Sequence, residues 1–157
     1  MTDSDDRSPE ERLAALGLTL PAVAKPLAAY VPAVVSGGFV YTSGQLPFVD
    51  GQLPATGKVG ADVTPEQGKA LARICALNAL AAVDSLVGID AITRVVKVVG
   101  FVASASGFNG QPGVVNGASN LLAEVFGDRG SHARSAVGVA ELPLDSPVEV
   151  ELVVEVG

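Results

Sequence analysis

The sequence has little of what a metal centre or a disulfide framework needs. Its 157 residues include one cysteine, one histidine and no tryptophan. A single cysteine has no partner for a disulfide within the chain and no second ligand nearby to hold a metal, so neither is expected. Cys75 stands between Ile74 and Ala76 and is interpreted as a small buried hydrophobe. Such cysteine usage suits a reducing compartment, and we expect a cytoplasmic location.

Positive charge is also scarce. Ten Lys and Arg residues stand against seventeen Asp and Glu, which gives a net charge of -7. The chain has no basic stripe of the kind that nucleic-acid binders carry. It also has no uninterrupted apolar run of the ~18 residues that a spanning helix needs. The opening residues are polar and acidic, unlike a secretory signal, so neither nucleic acid nor a membrane is expected as a partner.

Hydrophobic residues are abundant and make up 48% of the chain. This is a high share for a soluble monomer, and we assign the surplus apolar surface to contacts between subunits. The length fits one domain, which is large enough to bury about two-thirds of its unfolded surface.

Capping, turn and periodicity signals divide the chain into helices and strands. Ser8-Pro9 and Thr64-Pro65 each open a helix with a capping box. The elements expected after these starts are a hairpin turning at Ser36-Gly37-Gly38, a long helix to about Leu86, a strand from Ile92 to Ala103, a helix from about Gly113 to Phe126, and two final strands. This order predicts an α+β fold with helices on one face of a mixed sheet. Residues 1–29 are interpreted as an N-terminal extension with a short helix, and residues 30–157 as a single domain.

The last two predicted strands are interpreted as a hairpin that turns at Leu142-Pro143. Period-two alternation places Arg134 on the same side as the small Ala136 and Gly138. A planar carboxylate could lie on this shallow face and accept two parallel hydrogen bonds from the guanidinium. A surface ion pair is the alternative interpretation of Arg134.

Glu149 follows the turn and faces away from the apolar side of its strand. Partial burial could raise its pKa and let it position a water or carry a proton, although an ordinary solvated glutamate is equally compatible with the pattern. If the turn is centred between Leu144 and Asp145, Arg134 pairs with Glu155 and stands about 20 Å from Glu149 at ~3.3 Å per residue. A small substrate cannot bridge that distance. The two residues then belong to different sites, or a neighbouring subunit supplies Glu149.

Four other polar residues have open interpretations. His132 is expected to point to the side of the strand opposite Arg134. Ser43 has no histidine and acid nearby in sequence, so a hydroxyl donor to a ligand is a better interpretation than a nucleophile. Asn116, in the first turn of the last helix, faces either a cleft or water, and Tyr30 belongs either to the core or to a rim.

These residues resemble a known family. Its motifs are matched by Tyr30, Thr42-Ser43-Gly44-Gln45, Asn116, Arg134-Ser135-Ala136-Val137, and the stretch from Leu142-Pro143 to Val148-Glu149-Val150-Glu151. Together they resemble the Rid proteins, the reactive intermediate/imine deaminases that are also called YjgF-like. The resemblance runs from about Tyr30 to Val156. It implies a chorismate-mutase-like fold and a homotrimer whose sheets form a central barrel, with ligand clefts between subunits.

The resemblance also implies roles for individual residues. Arg134 matches the arginine that binds the substrate carboxylate, and Glu149 matches the glutamate associated with the catalytic water. The positions that match the lining of the cleft are Tyr30, Ser43, Gly44, Asn116 and Ala136. Ala136 stands where many deaminases carry a cysteine, whose contact is attributed mainly to main-chain groups. Three other departures matter more and point to a side branch of the family: a longer N-terminus with its own helix, the Gly107 to Gly110 stretch, and an extra residue between Asn116 and Arg134.

The function expected from this resemblance is hydrolytic deamination of small 2-imino or 2-enamino acids to 2-oxo acids and ammonia. No cofactor or metal is called for. The alternative is a non-catalytic trimer that binds a small carboxylate. A ribonuclease ranks last, because the chain is acidic and has a single histidine.

Overall fold

The computed structural model describes residues 5–25 and 28–157. Its helices are α1 (Pro9–Ala15), α2 (Pro65–Val87) and α3 (Gln111–Phe126), and its strands are β1 (Ala33–Ser36), β2 (Phe39–Thr42), β3 (Ile92–Ala103), β4 (Ala133–Val139) and β5 (Val148–Val156). Residues 1–4, 26 and 27 of the predicted N-terminal extension lie outside the described residues.

Both predicted capping boxes are present. The Ser8 hydroxyl accepts a hydrogen bond from the backbone N–H of Glu11, whose carboxylate accepts from the backbone N–H of Ser8. Thr64 and Gln67 make the same reciprocal pair at the start of α2. Each box satisfies backbone N–H groups that have no partner within the helix, which is why both helices begin where the sequence predicts.

The five strands form one mixed sheet in the order β1-β2-β5-β3-β4. β3 and β4 run parallel, whereas the other neighbouring pairs are antiparallel. α2 and α3 pack together and cover one face, so the predicted α+β layer with helices on one face of a mixed sheet is confirmed. The homotrimer and its central barrel stay predictions.

The predicted hairpin of the last two strands is wrong, because β3 lies between β4 and β5. Leu144 and Asp145 adopt φ angles of 57° and 58° in a short 3-10 turn, and this turn sends the chain across the sheet. Alternate residues of β5 are fully buried, namely Val148, Val150, Leu152 and Val154. A central position in the sheet therefore buries more apolar surface for β5 than an edge position would. β4 lies at the edge and is only partly covered.

α2 is the one helix of the described residues that is long and apolar enough to cross a membrane by length and composition alone, and 56% of its apolar window is buried inside the fold. Its buried side chains include Cys75, as the sequence predicts. α2 is therefore the core helix of the domain. It packs closely on α3 at Gly117, where a Cβ would overlap the backbone carbonyl oxygen of Lys69.

We expect Gly117→Ala to lower the free energy of unfolding by about 3 kcal/mol, because the backbone of α2 cannot move away from the new methyl group. Gly113→Ala in the same helix is the matched control, since a Cβ there meets nothing within 4 Å. Its higher helix propensity should leave stability unchanged or raise it by up to ~1 kcal/mol. Urea unfolding measures both, and equal stability of the two variants would contradict the close contact between α2 and α3.

Candidate functional site

Arg134 lies on the edge strand β4 and points toward α3. One of its terminal nitrogens, Nη1, donates to Asn116 Oδ1 at 2.8 Å and to Ser119 Oγ at 3.2 Å. The other, Nη2, lies 3.4 Å from the carbonyl oxygen of Pro112. These three α3 residues are four and three positions apart, so they share the helix face that meets β4. We call Arg134, Asn116 and Ser119 the arginine half-site.

The guanidinium of Arg134 is held by neutral oxygens only. Within residues 5–25 and 28–157, no carboxylate forms an ion pair with it. The surface ion pair considered above is therefore not observed in this part of the chain. Nη1 donates to two oxygens, and Nη2 uses one of its two N–H groups for Pro112. In the described residues, the N–H of Nε and the second N–H of Nη2 therefore form the edge that can bind a carboxylate with two parallel hydrogen bonds.

Glu149 is half-buried on β5 and lies against Gly44. A Cβ at position 44 would overlap Oε1 of Glu149, so glycine leaves room for the carboxyl group in this conformation. Burial raises the pKa of Glu149, and the negative charge of Glu151 raises it further. This carboxyl group can hold a proton at a higher pH than an exposed glutamate can.

Tyr30 and Ser43 lie near Gly44. The Ser43 hydroxyl donates to the carbonyl oxygen of Val31 at 2.5 Å, so its hydrogen is already engaged and the oxygen is left to accept from a ligand. The exposed Tyr30 and Gly44 line a small cavity of about 30 Å³. We call Glu149, Gly44, Ser43 and Tyr30 the glutamate half-site.

A larger cavity adjoins the glutamate half-site. It has a volume of about 480 Å³ and lies between residues 21–25 and the loop that contains Phe48, Asp50 and Gly51. The two cavities share Ala24, Lys25 and Phe48 in their walls. Ala24 and Lys25 thus reach the surroundings of Gly44.

The two half-sites lie on opposite faces of the sheet. Arg134 pairs with Val98 of β3, and Val98 pairs on its other side with Leu152. Glu149 is three residues from Leu152 and points away from the helices. Two strand spacings of ~4.8 Å and three residues of ~3.3 Å give a backbone separation of roughly 14 Å. The pairing of Arg134 with Glu155 and the 20 Å separation expected from the sequence are therefore wrong, but Arg134 and Glu149 still do not meet within one chain.

The remaining sequence-predicted residues join the arginine half-site or lie beside it. Ala136 follows Arg134 on the helix-facing side of β4 and pairs with Gly100. Asn116 lies in the second turn of α3 rather than the first, because the helix begins at Gln111. His132 does not point to the side opposite Arg134: both side chains hydrogen-bond to Ser119. Two residues apart on an extended segment, they share a side.

Sequence reasoning missed Ser119 and Gln111. Ser119 stands three positions after Asn116, and this helical spacing was the available signal. The Gln111 side chain donates to Ser104 Oγ at 3.1 Å and to the carbonyl oxygen of Phe108 at 2.7 Å. It lies over Gly138, where a Cβ would crowd it.

In the described part of the chain, no three acidic, histidine or cysteine side chains gather into a metal-binding group.

Comparison with known proteins identifies the family. The profile described as "YjgF/chorismate mutase-like, putative endoribonuclease" matches residues 10–156. The chain belongs to this YjgF/chorismate mutase-like family. It is 46% identical to protein TCP17 of Trypanosoma cruzi over 142 residues, which cover 89% of each chain. The solved structure of Atu1372 from Agrobacterium tumefaciens, a protein of unknown function, is 46% identical, with a TM-score of 0.88 over 95% of this chain and 92% of that one.

Escherichia coli TdcF, solved with bound serine, is a more distant member. It is 26% identical, with a TM-score of 0.64 over 88% of this chain and 96% of that one. The higher structural similarity to Atu1372 supports a divergent branch within the family, as the departures in the sequence predict.

We expect Glu149→Gln to gain stability relative to the wild type as pH rises above the ordinary carboxyl range. The raised pKa means that the folded state holds the Glu149 proton more tightly than the unfolded state. Its contribution to stability is therefore largest at low pH and is lost as pH rises through the folded pKa, whereas glutamine does not titrate. Urea unfolding of both proteins from about pH 4 to pH 8 tests this. A stability difference that stays flat or falls with rising pH would contradict it.

Proposed function

We propose that this protein hydrolyses small 2-imino or 2-enamino acids to 2-oxo acids and ammonia, in clefts between the subunits of a homotrimer. The observation that carries the proposal is Arg134, whose guanidinium is oriented by neutral oxygens and has no carboxylate partner in the described residues. A cation supported in this way keeps its full charge for a ligand. An anionic substrate group that binds two nitrogens in a plane fits it best, and a carboxylate is such a group.

The role of Arg134 is to fix the substrate by its carboxylate. Two parallel hydrogen bonds to the Nε–Nη2 edge define both the position and the rotation of the 2-imino carbon. Holding the reacting carbon in one orientation toward water lowers the entropic part of the barrier.

The role of Glu149 is proton transfer. Its carboxylate accepts a proton from water as the water oxygen bonds to the imine carbon, and the C=N double bond becomes a single bond. The protonated carboxyl group then delivers that proton to the nitrogen, which gives a carbon that carries one hydroxyl and one amino group. The regenerated carboxylate takes the hydroxyl proton and passes it to the same nitrogen as the C–N bond breaks, so ammonia leaves and the C=O bond of the 2-oxo acid forms. The raised pKa makes the carboxylate of Glu149 a stronger base than an exposed glutamate, which suits a group that takes a proton from water.

The opposite orientation of the two half-sites supports a cleft made by two subunits. The sheet face that carries Glu149 is not covered by helices, and it also exposes large side chains; Val34, Tyr41 and Val137 there are 48%, 45% and 43% exposed. An uncovered sheet face with such side chains suits packing against further copies. In that arrangement the arginine half-site of one subunit would meet the glutamate half-site of its neighbour.

A second candidate is a non-catalytic trimer that binds a small amino or oxo acid. It is favoured by the bound serine in the TdcF structure. Both candidates need Arg134, but only hydrolysis needs the proton transfer by Glu149. The family description also names an endoribonuclease, for which the net charge of -7 offers no support.

We expect Arg134→Ala to lose roughly 10²-fold or more in imine hydrolysis, because the substrate is no longer oriented. An amino-acid oxidase generates 2-imino acids, and semicarbazide traps those that are not hydrolysed, so an active protein lowers the trapping. Arg94→Ala is the matched control, since Arg94 is exposed on β3 and its side chain donates to the carbonyl oxygen of Ser131 at 3.4 Å. No effect of the wild type across several amino acids, or full activity of Arg134→Ala, would defeat the proposal.

Glu149→Gln separates the two candidates. The variant keeps the shape of the side chain but cannot accept the proton from water, so turnover should fall at least ~10²-fold. Binding of pyruvate, followed by calorimetry, should stay within about threefold of the wild type, because pyruvate needs Arg134 rather than a base. Unchanged turnover would remove Glu149 from the reaction.

A mixing experiment tests whether a cleft takes residues from two subunits. Arg134→Ala and Glu149→Gln proteins are inactive alone, but unfolding and refolding them together allows mixed trimers. If each site takes Arg134 and Glu149 from different subunits, random mixing restores about a quarter of the sites in a symmetric ring. If both residues came from one subunit, the mixture would stay inactive.

A further inference from the structure

His132 lies just before β4, and its ring is held at both nitrogens. Nδ1 is 2.6 Å from the carbonyl oxygen of Gly130, and Nε2 is 2.9 Å from the hydroxyl oxygen of Ser119. Ser119 Oγ is also the oxygen that Arg134 Nη1 contacts at 3.2 Å. His132, Ser119 and Arg134 thus form one connected chain of hydrogen bonds.

The direction of these hydrogen bonds follows from the chemistry of the end groups. A carbonyl oxygen can only accept, so Nδ1 of His132 carries the hydrogen. In a neutral imidazole Nε2 is then an acceptor, and the Ser119 hydroxyl donates to it. Arg134 can only donate, and it donates to a lone pair of the same hydroxyl oxygen. Every donor in this series of hydrogen bonds therefore has an acceptor. The donor and acceptor of each bond are fixed, from the Arg134 guanidinium to the Gly130 carbonyl oxygen.

The hydroxyl group of Ser119 bonds to different partners from the hydroxyl group of Ser85, the serine of the other long helix. Serine hydroxyls inside helices commonly donate to a carbonyl of the preceding turn, as Ser85 of α2 does to Ala82 at 2.7 Å. The Ser119 hydroxyl instead bonds across to His132 and Arg134. Its contacts are with the residues around the guanidinium rather than with its own helix.

We propose that Ser119 and His132 are positioning residues that set the rotation of the Arg134 guanidinium. Without Ser119, the guanidinium would be held by Asn116 at Nη1 and by the 3.4 Å contact of Nη2 with the Pro112 carbonyl oxygen, and this long second contact restricts the rotation of the plane only weakly. Ser119 supplies a second acceptor on the same nitrogen, and His132 fixes which way the Ser119 lone pairs point. The Nε–Nη2 edge is then directed to the substrate carboxylate before binding, which lowers the entropy lost when the complex forms. This inference rests on the proposed role of Arg134 as the carboxylate anchor.

The first test measures pyruvate binding and the steady-state kinetics of imine hydrolysis. Ser119→Ala should weaken pyruvate binding about tenfold and raise KM by a similar factor, with kcat changed less than about threefold, because a hydrogen bond to a charged group is lost. Ser119→Thr keeps the hydroxyl and should restore most of the affinity. Ser85→Ala is the matched control and should behave as the wild type. At position 132, Gln can place an amide oxygen where Nε2 lies and should retain more affinity than Phe.

The outcomes separate this inference from the proposed function. If Arg134→Ala binds pyruvate as well as the wild type, the anchor itself is wrong. If Arg134→Ala loses binding but Ser119→Ala and His132→Phe do not, the anchor holds and the positioning role is overturned. A loss of kcat at unchanged KM in Ser119→Ala would also overturn it.

The second test does not depend on activity. His132 is the one histidine of the chain, so the ¹⁵N resonances of its ring can be assigned without ambiguity. At a pH high enough for a neutral ring, the spectrum should show the hydrogen on Nδ1. Pyruvate should shift these resonances in the wild type and not in Ser119→Ala, where the link to Arg134 is cut. The opposite tautomer, or the same shift in both proteins, would overturn the inference.

Discussion

The arrangement of the candidate site depends on the complete burial of one side of β5. Val148, Val150 and Leu152 are each 1% exposed, so this strand has a fixed inner side and a fixed outer side. Because side chains alternate along a strand, Glu149 must then lie on the face away from the helices. A shift of one residue would move the whole apolar side into solvent. The position of the carboxyl group is thus secured by hydrophobic burial rather than by polar contacts of its own.

Arg134 is secured in the opposite way. It lies on an edge strand with little buried surface, and its position is set by hydrogen bonds to α3. Neutral acceptors orient the guanidinium without cancelling its charge, whereas a carboxylate partner would have to be displaced before an anion could bind. The helix contributes amide, hydroxyl and carbonyl oxygens on one face, so its orientation toward β4 determines which edge of the guanidinium stays open.

Local patterns were enough to predict most of the elements, and long-range pairing was not. The capping boxes at Ser8 and Thr64 and the β-branched run of β3 are properties of a few adjacent residues, and they act in the same way in any fold. The place of β4 in the sheet depends on how much apolar surface each strand can bury in a central position. This comparison involves strands far apart in the sequence, so the residues next to β4 do not predict its place. The contact of Gly44 with Glu149 joins positions more than a hundred residues apart, and only the resemblance to a family connected them. The hydrogen bonds of His132 and Arg134 to the same residue, Ser119, depend on how α3 packs against β4.

If the two half-sites lie in one cleft between subunits, as we propose, the charge of Arg134 acts on the carboxyl group of Glu149. An unoccupied Arg134 near a neighbour's Glu149 would favour the ionised carboxylate, the form that can accept a proton from water. A bound substrate carboxylate neutralises the guanidinium and also brings a negative charge of its own. Both effects oppose ionisation of Glu149, in the same direction as its burial and the charge of Glu151. Substrate binding would then raise the proton affinity of the base at the moment when it must take a proton from water. An imine without a carboxylate would not produce this effect, so selectivity for acids would be expressed in the proton transfer as well as in binding.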